Sequence, residues 1–214
     1  MKKIVLIGDS IRMGYDKYVK EALGNVAEVY YPQENGQFAE HVLRFVHEWK
    51  NNGQWPDDVD LVHWNAGLWD CLELFEDEPL TSLSYYGEAL VRIDKRLRML
   101  FPKAKIVFAL STAVLEDLFS KDFRRHNNVI MQYNETAKKA LSGTDTIIDD
   151  LWTITANCPR SCHSDAVHFY TDEGTALIGN KVLSVICHEL GISADEVDLE
   201  TFDPEAYTDD NIGY

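Results

Sequence analysis

Five short apolar runs rich in β-branched residues, at 3–7, 27–31, 60–65, 105–110 and 145–149, alternate with longer segments whose apolar residues recur at helical spacing. The connecting segments are too long for hairpin loops, and parallel strands need a crossover connection, usually a helix. The alternation therefore predicts an α/β domain with a mostly parallel five-stranded sheet and helices on both faces. Phe38, Val42, Phe45, Val46 and Trp49 share one stripe of a predicted helix. Tyr86, Leu90, Ile93, Leu97 and Leu100 repeat the pattern up to Pro102, and a weaker helix runs from about Asn127 to Leu141, before Gly143. A last helix opens at Thr171-Asp172-Glu173, carries Leu177, Val182, Val185, Ile186 and Leu190, and stops at Gly191.

The 214 residues, 45% of them hydrophobic, suit one sizeable core. We assign residues 1–191 to a single domain and 192–214 to an acidic extension, since no lysine or arginine follows Lys181. Asp195, Glu196, Asp198, Glu200, Asp203, Glu205, Asp209 and Asp210 make that extension read as solvated or partly disordered. A net charge of −16 repels a nucleic-acid backbone and an anionic membrane surface, so neither is an expected partner. No apolar run approaches the roughly 20 residues of a membrane helix, and the N-terminal apolar stretch is too short and too β-branched for a signal peptide. A cytoplasmic location is expected. Cys71, Cys158, Cys162 and Cys187 form no metal signature: Cys158 and Cys162 are the one close pair, and reduced thiols are expected in a loop with Pro159 and Ser161.

In open parallel sheets, ligands bind beyond the carboxyl ends of the strands. Four positions stand there: Ser10 after the first strand, Asn35-Gly36 after the second, Asn65-Ala66-Gly67 after the third, and the segment SDAVHFYTDEG before the last helix. Singly, each reads as loop; Gly8-Asp9-Ser10 alone could be a turn followed by a helix cap. Together they offer complementary chemistry. A serine hydroxyl becomes a nucleophile when an imidazole takes its proton and a carboxylate fixes that imidazole, roles open to Ser10, His168 and Asp165. An oxyanion needs fixed donors, which the backbone N–H groups of Ser10 and Gly36 and an asparagine amide can supply.

Gly8-Asp9-Ser10 behind the first strand, the Gly36 turn, an asparagine after strand three, and Asp165-x-x-His168 within HFYTDEG resemble the GDSL/SGNH hydrolase superfamily. The likeness spans nearly the whole chain. It implies a flavodoxin-like three-layer α/β/α sandwich, with Ser10 as nucleophile, His168 as base, Asp165 as its orienter and Gly36 as an oxyanion donor. One block departs from the pattern. Where the superfamily usually has G-x-N-D, this chain reads Gly67-Leu68-Trp69-Asp70, so Trp69 stands in the asparagine's place. Asn65, four residues earlier, is the nearest replacement donor, and Trp69 becomes a wall of the acyl pocket or a platform for a sugar. His63, among Leu61, Val62 and Trp64, reads as a hydrogen-bonded core histidine. Asp9 reads as a brace for the turn.

The expected activity is that of a serine esterase on a small-molecule acyl ester, working through an acyl-Ser10 intermediate without cofactor or metal. Trp64, Trp69 and Trp152 suggest a carbohydrate ester. An acyltransferase or thioesterase on the same site is the alternative enzyme, and a catalytically weak binding module the alternative from another class.

Overall fold

The computed structural model describes residues 1–202. Within them β1 (Lys2–Ile7), β2 (Ala27–Tyr30), β3 (Leu61–Trp64), β5 (Lys105–Ala109) and β7 (Ile147–Asp149) form one sheet in the order β2-β1-β3-β5-β7, every pair parallel. All five strands fall on the apolar runs of the sequence. Most residues of the central strands β1, β3 and β5 are buried because helices cover both faces, while Glu28 on the edge strand β2 is exposed and Ile147 and Ile148 on the other edge are half-buried. α1 (Ser10–Leu23) and α6 (Asp172–Leu190) pack together on one side; α2 (Ala39–Asn52), α3 (Leu83–Leu100) and α4 (Asn127–Leu141) pack in series on the other. This is the expected three-layer sandwich. Its strand order reverses direction between β1 and β3, which opens a crevice at their carboxyl ends.

Local chemistry explains the helix limits. The Asp9 carboxylate accepts the Ile11 N–H and caps α1, so Ser10 is the first helical residue and not the cap. Thr171 caps α6 through the Gly174 N–H, and Gly191 ends it at φ +64°. Three short elements escaped the periodicity: an antiparallel ribbon of β4 (Glu73–Leu74) with β6 (Phe123–Arg124), and the one-and-a-half-turn α5 (Leu151–Ala156). Each is too short to show a repeat.

The extension differs from a solvated tail over its first part. Asp195 donates its N–H to the Ala22 carbonyl at 2.8 Å, Val197 is buried, and Phe202 meets the Tyr18 ring edge-on at 5.7 Å. Packing against α1 thus continues past residue 191; Asp203, Glu205, Asp209 and Asp210 lie outside the described residues. Among the described residues no helix is long and apolar enough to cross a membrane. His63 sits in the core, its Nε2 3.0 Å from the Asp149 carboxylate and its Nδ1 3.2 Å from the Tyr15 hydroxyl.

Candidate active site

Ser10 stands on the turn where β1 becomes α1, and its hydroxyl lies 2.8 Å from His168 Nε2. His168 Nδ1 lies 2.7 Å from Asp165 Oδ2. With the carboxylate ionised, the proton sits on Nδ1, leaving Nε2 to accept from the serine hydroxyl. Two residues three apart on one loop can meet in this way because the loop folds around the carboxylate. Asp165 Oδ1 accepts the Val167 and His168 N–H groups, and the Ser164 N–H donates to the His168 carbonyl. Burial works to raise the Asp165 carboxyl, but the His168 ring and the two N–H groups outweigh it and bring it down to about 2. Ser10 and His168 are buried, whereas Asp165 stays half-exposed.

No protein-family model and no curated protein matches this sequence. Solved structures do match in shape. A lipase/acylhydrolase from Enterococcus faecalis shares 17% identity over 92% of this chain and 100% of its own, with a TM-score of 0.68. The acetyl xylan esterase AlAXEase shares 16% over 86% of this chain and 99% of its own, with a TM-score of 0.67. A member of the lipolytic protein G-D-S-L family from Veillonella parvula shares 19% over 86% and 98%, with a TM-score of 0.64. The chain has the GDSL/SGNH hydrolase fold.

On this SGNH scaffold, the glycine before Asp9-Ser10 has a steric reason. A Cβ at Gly8 would fall 1.8 Å from Asn65 Oδ1 and 2.9 Å from Arg12 Cβ, so glycine here leaves room for the Asn65 side chain where it lies. Register brings the ends of β1 and β3 level: Ile7 pairs with Trp64, and the Asn65 N–H donates to the Ile7 carbonyl at 3.0 Å. The Asn65 side chain then turns to the Gly8-Asp9-Ser10 turn, its Nδ2 donating to Asp9 Oδ1 at 2.8 Å. Asp9 is thereby both helix cap and brace. It is buried, and burial pushes its carboxyl up against the hydrogen bonds from Asn65 and Ile11.

The oxyanion donors expected from sequence are arranged differently from one another. The Ser10 N–H opens α1, where the first amides have no intrahelical acceptor. The Gly36 N–H is engaged, donating to the Gly8 carbonyl at 2.9 Å. A Cβ on Gly36 would lie 2.6 Å from that same oxygen, so this glycine is needed for two backbones to touch. The expectation of a free Gly36 N–H thus meets a hydrogen bond that closes the turn. One Asn65 amide hydrogen is held by Asp9 and a second remains on the same nitrogen. Trp69 is half-buried with its ring edge-on to Phe38 at 5.6 Å. Trp64, one of the three tryptophans that suggested a carbohydrate ester, is fully buried against Phe108 and cannot reach a ligand.

Several supporting residues were not apparent in the sequence. The Tyr170 hydroxyl donates to the Ser10 carbonyl at 2.6 Å while its ring stacks on the His168 imidazole, centroids 4.7 Å apart at 22°. Gly14 makes room for that ring, since a Cβ there would lie 2.6 Å from it. Asp70 is fully buried and accepts the Ala39 N–H at 3.0 Å, capping α2, whose Phe38 has no cap to give. Burial pushes the Asp70 carboxyl up to about 6, opposed by the bonds from Ala39 and Thr81 and aided by the Asp9 charge. The HFYTDEG string carried a signal for Tyr170, two residues after His168, and the Gly67-Leu68-Trp69-Asp70 block one for Asp70, neither of which gave the contacts. Cys158 Sγ lies 3.8 Å from His163 Nε2.

Proposed function

We propose that this protein is a serine esterase acting on a small acyl ester, with Ser10 as nucleophile, His168 as general base and Asp165 as orienter. The observation that carries this reading is the continuous chain from the Ser10 hydroxyl through His168 to the Asp165 carboxylate. His168 takes the hydroxyl proton as Ser10 Oγ attacks the ester carbonyl, and Asp165 stabilises the imidazolium that forms. The Ser10 N–H, at the positive end of α1, and the second hydrogen of the Asn65 amide hold the oxyanion. His168 then protonates the leaving alcohol, and water activated by the same imidazole releases the acyl group from Ser10. Gly36 acts by fixing the Gly8-Asp9-Ser10 turn. The half-buried Trp69 beside Phe38 and the shape shared with an acetyl xylan esterase favour a carbohydrate O-acyl ester, with Trp69 lining the acyl or sugar side.

A fluorophosphonate probe tests this reading. It should label Ser10, and Ser10→Ala should abolish labelling and p-nitrophenyl acetate hydrolysis with an unchanged circular dichroism spectrum. Labelling at another residue, with Ser10 untouched, would falsify the assignment. The engaged Gly36 N–H favours a second reading, a binding module on the same fold. Neither labelling nor turnover in the wild-type protein would select it.

A further inference from the structure

A cavity of about 470 Å³ lies on the flank where β2 is the edge strand, between the end of α1, the loop after β2 and the end of α2. Its volume falls within the range of roughly 300–1,000 Å³ typical of small-molecule sites. Trp49 and Trp55 are buried in its lining, half-buried Tyr31 joins them, and Lys20, Glu34 and Asn52 are exposed at its rim. None of these takes part in the triad.

The lining has two kinds of surface in one concavity. The half-buried Tyr31 ring offers a flat apolar face, while an ammonium, a carboxylate and a primary amide supply donors only, acceptors only, and both. A saccharide ring has the matching duality, C–H groups on its faces and hydroxyls around its edge. The opposed charges of Lys20 and Glu34 give a charged ligand no advantage, and the chain's −16 disfavours an anionic one. A cation would compete with Lys20, whose ammonium already lies 5.5 Å from the Tyr31 ring centre.

The rim is also pre-set and tied to the nucleophile's turn. The Glu34 carboxylate accepts the Trp49 indole N–H, and Arg12, two residues after Ser10, donates to the Glu34 carbonyl at 2.7 Å. Two residues beyond Glu34, Gly36 bonds to Gly8. We propose that this cavity binds a neutral saccharide unit, stacked on Tyr31 and hydrogen-bonded by Lys20, Glu34 and Asn52. Binding stands apart from the esterase reading; only an effect on the turnover of a carbohydrate ester rests on it.

Tryptophan fluorescence of the full chain tests the proposal, with xylotriose and cellotriose as ligands and adenosine as a control for a stacking nucleobase. One trisaccharide should give a saturable change with a Kd of about 1 mM or tighter. Tyr31→Ala should weaken it by about tenfold or more, and so should Lys20→Ala combined with Asn52→Ala, whose exposed side chains can be removed without disturbing the core. Hydrolysis of p-nitrophenyl acetate should not change in either variant. No saturable response to either trisaccharide, a response equally strong in the Lys20/Asn52 variant, or binding of adenosine alone overturns the proposal. The titration is repeated on Ser10→Ala, where saccharide binding should persist. Failure of the esterase reading would show in the probe labelling, and failure of this one in the titration.

Discussion

Replacing Gly36 by alanine separates two roles that its position allows. Alanine keeps the backbone N–H, so a residue acting only as an oxyanion donor would tolerate the change. The structure gives a different expectation. The new Cβ would stand 2.6 Å from the Gly8 carbonyl oxygen and 2.8 Å from its carbon, whereas ordinary contact begins at 3.4 Å, so the two backbones must part by about 0.8 Å. Neither contacting atom is the movable end of a side chain. Parting them stretches the hydrogen bond from the Gly36 N–H to the Gly8 carbonyl, worth about 1 kcal/mol. Crowding of a packed region adds about 1–3 kcal/mol. A loss of about 2–4 kcal/mol of folding stability follows, read as a lowered urea midpoint with an unchanged slope. Gly8 is two residues from Ser10, and a displacement of about 1 Å at a reacting group can cost about a hundredfold in rate. Turnover of p-nitrophenyl acetate should therefore fall on that scale as well. Wild-type stability together with wild-type kcat in Gly36→Ala would refute the argument that this glycine is a spacer.

Asn65→Ala should lower kcat by roughly a hundredfold with little change in KM, since an oxyanion donor acts on the transition state, while Trp69→Ala should raise KM or alter acyl preference; the reverse split exchanges their roles. His168→Ala should lose more turnover than Asp165→Asn, because serine activation depends on the base more directly than on its orienter. The Asp165 carboxyl, held at about 2, lies below its ordinary value of about 3.9; its contribution to stability is present above about pH 4 and is lost as pH falls through about 2. Acid denaturation of Asp165→Asn should lack that component. Asp70 has the opposite sign: its folded value of about 6 lies above the ordinary one, so its effect favours the fold below about pH 4 and fades as pH rises through about 6. Asp70→Asn keeps an acceptor for the Ala39 N–H without the buried charge, and its stability relative to wild type should improve by about 2–4 kcal/mol between pH 4 and pH 7.5, measured by urea unfolding. Equal differences at both pH values would show that Asp70 does not titrate in this range.

The central strands β1, β3 and β5 were legible in the sequence because most of their residues are buried on both faces and hence apolar, and the edge strands β2 and β7 through their β-branched residues. Long amphipathic helices were legible for a related reason, since one stripe of each meets the sheet. The positions of Ser10 and Asn65 followed, because a parallel sheet puts what succeeds its strands at one edge; His168, separated from β7 by α5, was marked by the pattern before the last helix. Asp165 and His168 are neighbours in the chain, so their pairing needed only a bend that the aspartate itself makes. By contrast, the hydrogen bond from Gly36 to Gly8, the grip of Asn65 on Asp9 and the bond from the Tyr170 hydroxyl to the Ser10 carbonyl join segments far apart in the chain. No local pattern encodes such contacts. Which carbonyl an N–H meets, and whether a tryptophan such as Trp64 ends inside the core or Trp69 near its surface, depends on how closely separate elements pack. The sequence by itself determined the layers and which polar residues stand at the sheet's edge; only tertiary packing decided which partners they meet, because a hydrogen bond depends on a few tenths of an ångström that hydrophobic periodicity does not record.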